Sequence, residues 1–348
     1  MFLNKNIING KNYFKINAKC YNKIMNNKAT GLKSIAYELK ISINTVSRAL
    51  RDCDDISDAT KEKVRQKAYE LGYIPNNVSQ FIKKNNRPLV AVVLNNFNNF
   101  FFQIICQKLS EAFEKDKFEF TIVYTIKKKL DLEIIKQCIS QRADGIITLI
   151  EVEDDAVASA KLNNMPMVAL GRNVEKDYVD QVYENDQQGG KLVAEYLSLF
   201  NFNKYVYIKM SNIECSRRRQ KSFIQRLNEI NPDYKIEVVE VAHLSSKLPK
   251  LVKQGYKGIF CFNDDIVYEL MKTLEKSIPN YKEKYNDVKI VGFDCLSTKT
   301  NGLIDIDSID YDYDSICQYA VTLLKERFNG RKEKKTIKVS VSMHKGSN

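Results

Sequence analysis

Ser42, Ile43, Asn44, Thr45, Ser47 and Arg48 bring short hydroxyl and amide side chains and one guanidinium together within seven residues. Such groups match the donors and acceptors on base edges in a DNA major groove, and a guanidinium suits a phosphate or a guanine. The plainer alternative is a solvated helix face, and the run by itself does not separate the two. Little else in the chain has the spacing of a reactive centre. The eight cysteines include no C-x-x-C pair and the two histidines are His243 and His344, so neither a metal site nor a disulfide framework can be read. There is no P-loop, no G-x-G-x-x-G after the first strand and no nucleophile elbow. Neither a catalytic role nor a cofactor is expected.

The polar run needs a rigid support that leaves one face open. Leu32, Ile35, Ala36 and Leu39 repeat at helical spacing, and Val46, Ala49 and Leu50 repeat it directly afterwards. Lys40, Ile41 and Ser42 leave room for a tight turn between the two helices, with Ser42 placed to cap the second by accepting a backbone N–H bond. The pattern is a helix-turn-helix whose second helix carries the polar run outward. A third helix is expected from Ser57, with Val64, Ala68 and Leu71 on one stripe and Gly72 as its stop.

The chain of 348 residues has a formal charge of +12, and the excess is local. Residues 1–87 hold 17 Lys and Arg against 7 Asp and Glu, which leaves the rest nearly balanced. A polyanion partner at that end follows from counterion release. Residues 1–29, with six lysines, eight asparagines and no acid, are too polar to bury a core and are expected to form a basic, disordered extension. Two readings of it stay open: an arm along DNA, or a stretch ahead of a true start near Met25. The most apolar runs, 89–94 and 145–150, are of strand length, well short of the roughly 20 residues of a membrane span. No signal-peptide core opens the chain. A cytoplasmic protein without a membrane partner is expected.

From residue 88 strands and helices alternate, beginning with LVAVVL and NFFFQIICQKLSEAFEKD, and the pattern restarts near Gly189. Alternation of this kind implies right-handed βαβ units, with helices on both faces of a parallel sheet. Two such lobes would hold a ligand outside the carboxyl ends of their strands, where their loops converge. That places residues 99–102, Gly171 with Arg172, Asn263 with Asp264, and Asp294 around one cleft. Arg219 stands at an expected helix start facing the same gap, where the helix dipole disfavours a cation, which argues for a role in the cleft. Asp264 is read as the cap of the helix that follows it, and His243 as an exposed loop residue.

TVSRAL, then DATKEKV, then ELGYIPN, in that order and spacing, resemble the headpiece of the lactose-repressor (LacI/GalR) family of bacterial transcription regulators. QRADGII, MPMVALGR, GIFCFNDD, IVGFD and HKGS extend the resemblance through the core. The chain departs from the family's usual residues at Lys40 (a turn glycine), Ile82 (leucine), Phe100 (proline), Gly171 (aspartate) and Asn185-Asp186 (Asp-Asn). The resemblance implies a small all-α helix-turn-helix headpiece followed by an α/β core of two doubly wound parallel-sheet lobes, like the type I periplasmic binding proteins. It implies a hinge helix in which Asn76 is the cap and Ile82 wedges into the minor groove when two subunits meet on DNA; packing of Ile82 against the core is the other reading. Among the cleft candidates it makes Arg219 and Asp294 the main polar effector contacts, Asn263 a further one, Phe101 and Phe102 the apolar wall, and Gly171 the place of a missing sugar-hydroxyl acceptor. The expected protein is a homodimeric repressor on a palindromic double-stranded DNA operator, tuned by a small-molecule effector that is a sugar or a nucleobase. A sugar- or nucleobase-binding protein or an enzyme on the same core is the alternative. The boundaries expected are 1–29 for the extension, 30–75 for the DNA-binding domain, 76–87 for hinge helix and linker, and 88–348 for the core. Within the core, the first lobe takes 88–182 plus 297–340 and the second 183–296.

Overall fold

The structure is a computed structural model that describes residues 32–50, 52–71, 87–211, 213–301 and 303–347. The N-terminal extension, Gly72, Asn76 and Ile82 lie outside the described residues. The chain divides into two units, 1–86 and 87–348.

In the first unit, α1 (Leu32–Leu39), α2 (Ile43–Leu50) and α3 (Asp58–Glu70) enclose Ile35, Ala36, Val46, Ala49, Val64 and Ala68. These are positions that the helical spacing selected, and Leu32, Leu39, Leu50 and Leu71 pack around them. Lys40 takes a left-handed backbone, φ 52°, and Ile41 N donates to Ala36 O at 3.1 Å, so the turn closes α1 as a glycine would, at the steric cost of a side chain.

The second unit begins with β1 (Leu89–Leu94), α4 (Phe100–Asp116), β2 (Glu119–Tyr124), β3 (Lys129–Leu130), α5 (Leu132–Ser140), β4 (Gly145–Thr148), β5 (Glu151–Val152), α6 (Asp154–Leu162), β6 (Met167–Leu170) and β7 (Val179–Glu184). It continues through α7 (Asp186–Ser198), β8 (Lys204–Lys209), α8 (Glu214–Ile230), β9 (Lys235–Glu240), α9 (Leu244–Lys253), β10 (Gly258–Cys261), α10 (Asp264–Ser277), α11 (Tyr281–Lys284) and β11 (Lys289–Phe293). It ends with β12 (Asp307–Tyr311), α12 (Tyr313–Phe328), β13 (Thr336–Val339) and β14 (Val341–His344). One sheet has the order β13-β7-β6-β4-β1-β2 and is parallel throughout. The other, β14-β12-β11-β10-β8-β9, is parallel except for β14, which runs against β12.

The run LVAVVL shows why such a sheet reads as continuous apolar sequence. Val90, Val92 and Leu94 enter one cluster while Ala91 and Val93 enter another on the opposite face, so both faces of β1 are covered. The first of these clusters continues into the second lobe through Phe223, Phe260 and Phe293. Between the lobes the chain crosses three times: at residues 184–186, at 311–313 and at 339–341. From the sequence, residues 297–340 are expected in the first lobe, but 307–311 belong to the second. β12 pairs with β11, from Val291↔Asp307 to Phe293↔Ile309, and α12 with β13 returns to the first lobe. Ser308 and Ile309 are fully buried in the second sheet, where the Ser308 hydroxyl meets Asp264, a partner the first lobe does not offer. Among the described residues no helix is long and apolar enough to cross a membrane.

Candidate nucleic-acid interface and ligand cleft

On α2, Val46 and Ala49 are buried while Ser42, Ile43 and Asn44 are exposed and Thr45, Ser47 and Arg48 half-buried. Thr45 N donates to Ser42 Oγ at 3.0 Å, so Ser42 caps the helix as its position predicts. The two hydroxyls are also 2.8 Å apart, which holds Thr45 toward the helix start. Arg48 Nη2 lies 2.6 Å from Asp55. A phosphate would compete with that pair, and exposed ion pairs are weak competitors. Ile43 and Asn44, at the helix start, are the freest to meet a base edge.

Phe101, Phe102, Gly171, Arg219, Asn263 and Asp294 come from five separate segments and all line one cavity of ≈ 610 Å³ in the second unit. A more open hollow of ≈ 840 Å³ on the flank of the first lobe is a poorer candidate. Its arginines, Arg327 and Arg331, already grip the buried Asp180 at 2.8 and 2.5 Å.

In the cleft, Asn99 caps α4 by accepting from Phe101 N, and the Phe101 ring then meets Phe102 edge-on at 5.3 Å. Gly171 has φ +67°, and a Cβ there would stand 3.1 Å from the Phe101 ring, so an aspartate would be strained and would press the ring aside by a few tenths of an ångström. Asn263, not Asp264, caps α10, accepting from Ile266 N at 3.2 Å. Asp264 instead accepts from Ser308 Oγ at 2.6 Å and Leu296 N at 2.7 Å, fastening α10 to the loop after β11. The capping role expected of Asp264 therefore belongs to its neighbour, because the Asp264 side chain turns inward and is fully buried.

Arg219 also sits differently from the expectation. α8 begins at Glu214, so Arg219 lies in its second turn and not at its start. It is 2% exposed and donates to Asp186 Oδ1, Glu184 Oε1 and Phe262 O, each at 2.7 Å. Its guanidinium stacks on Phe293 at 3.4 Å from the ring centre. Three of its N–H groups are thus engaged, and at most two of the five on a guanidinium remain for a ligand. Gly190 makes this approach possible: a Cβ there would lie 2.5 Å from Arg219 O, so α7 and α8 could not pack as closely.

Asp294 has φ 101° and Cys295 φ 49°, a strained pair for residues with side chains. The strain is held by Tyr313 Oη donating to Asp294 O at 2.8 Å, Tyr311 Oη to Asp294 Oδ1 at 3.3 Å and Cys295 N to Ser308 Oγ at 3.0 Å. The two tyrosine rings stack at 4.6 Å. Burial pushes the Asp294 carboxyl well above the ordinary range, against the pull of Arg219. Burial and then the neighbouring Asp186 push Glu184 up in the same way. Burial opposes the charge on Arg219, but Asp186, Cys215, Glu184 and Asp294 outweigh it and hold its pKa above the usual value.

Glu184, Asp186, Phe262, Phe293, Tyr311 and Tyr313 were not legible as site residues. They are scattered over 130 positions; Asp186, Phe262 and Phe293 fall within the family stretches quoted above, but only the fold brings all six to Arg219 and Asp294.

Residues 31–76 match the sequence profile described as "Bacterial regulatory proteins, lacI family", and residues 87–265 that of "Periplasmic binding proteins and sugar binding domain of LacI family". The chain is similar to the HTH-type transcriptional repressor PurR of Vibrio parahaemolyticus, 22% identical over 320 residues, which cover 88% of this chain and 94% of that one. Its fold is similar to that of the Lac repressor dimer bound to operator and the anti-inducer ONPF, with a TM-score of 0.68 and 19% identity over 92% of this chain and 98% of the other. It is also similar to a LacI family transcriptional regulator from Enterococcus faecium with bound ribose, with a TM-score of 0.62 and 19% identity over 74% and 97% of the two chains.

Proposed function

The chain belongs to the LacI family of bacterial regulatory proteins and is a helix-turn-helix transcription regulator with a ligand-binding core; on that premise we propose that it is a cytoplasmic repressor, a homodimer on a palindromic operator, without a catalytic step. The observation that carries this reading is α2, which buries Val46 and Ala49 and turns Ile43 and Asn44 outward at its start. In a major groove that end of the helix arrives first, and an asparagine can hold adenine by two hydrogen bonds. The DNA-binding domain is taken as 30–75 and the hinge as 76–87, with Ile82 as the minor-groove wedge.

The effector is a small molecule, a sugar or a nucleobase, held between Phe101 and Phe102 on one side and Arg219, Asn263 and Asp294 on the other. Two of these groups are bonded to the crossings between lobes: Arg219 to Glu184 and Asp186 at the first, and Asp294 to Tyr311 and Tyr313 at the second. A ligand that fits one lobe angle better than another therefore biases a two-state equilibrium. That PurR of Vibrio parahaemolyticus is named a repressor and that the Enterococcus faecium regulator holds ribose support the sign and the ligand class. Selection of duplexes from a random DNA pool by the full-length chain tests the reading, run with and without ribose and nucleobases. A two-fold symmetric consensus is expected; a pool that emerges without enrichment would overturn it.

A further inference from the structure

Glu184 ends β7 at the first crossing, lines the cleft and is 3% exposed. Its Oε1 accepts from Arg219, whereas its Oε2 is buried without a hydrogen-bond partner. Three other buried side-chain atoms among the described residues share that condition, on Arg218, Thr300 and Arg331, and none of those residues lines the cleft. A carboxylate accepts hydrogen bonds and cannot give them, so an oxygen left in this state calls for a donor.

We propose that Glu184 is a specificity-determining residue of the cleft, whose Oε2 accepts a hydrogen bond from a neutral ligand that presents two adjacent donors to Glu184 and Asp294. Vicinal hydroxyls of a sugar have this form, and so do a ring N–H and the exocyclic amino group beside it on a nucleobase. The proposal rests on reading the cleft as the effector site. The floor of the cleft favours donors over anions because its cation is already matched: Arg219 faces Glu184 and Asp186 at 2.7 Å each. An anionic group placed there would meet Glu184 and Asp294, with Arg172, whose Nε donates to Leu149 O at 3.1 Å, as the second cation of the lining near Glu184. The lysines of the lining, Lys128 and Lys129, stand at its exposed rim, and Lys129 faces Glu151. Glu184 also stands where the chain passes from β7 to α7, so a ligand bonded to it touches the crossing directly.

Isothermal titration of the full-length chain with paired probes tests this. Ribose is compared with 2-deoxyribose, and guanine with hypoxanthine, which lacks the amino group; ribose 5-phosphate supplies the anion. In the wild type the complete member of one pair is expected to bind about 10- to 100-fold more tightly than its partner, as for a hydrogen bond to a charged group. The pair that does so identifies the source of the donors. In Glu184→Gln that ratio is expected to fall to near one. Asp186→Asn, which removes the other carboxylate from Arg219, is expected to keep the ratio even where it weakens binding, which a merely structural Glu184 would not allow. Preferred binding of the phosphate, equal binding within both pairs, no binding of any neutral probe, or a Glu184→Gln chain with the wild-type ratio would each overturn the proposal. The wild-type ratio can be read even if a variant fails to fold. Gel shift on the same samples scores the regulator reading separately: a chain that binds operator but no neutral probe refutes this assignment alone.

Discussion

Arg219 illustrates how far a single residue can be judged before its surroundings are known. Its cleft position was legible, but its engagement by Glu184, Asp186 and Phe262 was not, since those partners lie 33 to 43 positions away. Arg219→Ala leaves the buried Glu184 unpaired and Asp186 with Arg218 alone, so chemical denaturation should show a core less stable by about 3–5 kcal/mol. Asp264 gives a prediction of a different kind. Burial pushes its carboxyl up from an ordinary 3.8 to about 7, even though Ser308 and Leu296 donate to it. A folded-state pKa above the unfolded one means that this residue's contribution is full below about 4 and is lost as pH rises through about 7. The melting temperature of the chain should therefore fall between about pH 4 and about pH 7. Asp264→Asn should lower stability by about 1–3 kcal/mol, because one amide oxygen replaces the two that accept from Ser308 and Leu296, and should reduce that slope. Asp265, raised to about 6 by burial, keeps part of the slope in place.

Among the elements, those fixed by short-range pattern were legible and those fixed by distant pairing were not. α1, α2 and α3 follow the spacing of Leu32 to Leu39, Val46 to Leu50 and Val64 to Ala68, because a helix buries its own periodic stripe. β12 carries no such mark: IDSIDYDY alternates acids with apolar residues and joins the second sheet through its register with β11 and the Ser308–Asp264 bond. The turn between α1 and α2 is open to direct test. Lys40 at φ 52° is strained where glycine would not be, so Lys40→Gly should raise headpiece stability by about 0.5–1 kcal/mol in thermal melts. On the recognition helix, Asn44→Ala should cost about 1–3 kcal/mol at one base position of each half-site and relax the preference there. Weakening that is equal on every sequence would assign Asn44 to the backbone instead.

At the scale of the whole molecule, the α/β class and its two lobes were legible because inner strands such as β1, β6 and β10, covered on both faces, read as continuous apolar runs. Of the three crossings, the first and third fall close to the expected lobe boundaries at 182/183 and 340, whereas the second was expected at 296/297 and comes at 311–313; the crossings are where the cleft gains its leverage. Glu184 and Asp186 at the first and Tyr311 and Tyr313 at the second hold the two polar groups that a ligand would touch. A ligand in the cleft should therefore act on DNA affinity through lobe geometry, with Asp294 as the group whose loss uncouples it. The most direct test is an anisotropy titration of the selected palindromic duplex with the full-length wild type and with Asp294→Ala, each with and without whichever of ribose and guanine binds the wild type. The account predicts that the ligand changes the wild-type operator Kd by about tenfold, within the usual range of coupling energies, and that the change is lost in Asp294→Ala. A ligand that binds the wild type and leaves its operator Kd unchanged, or an Asp294→Ala chain that responds as the wild type does, would contradict it.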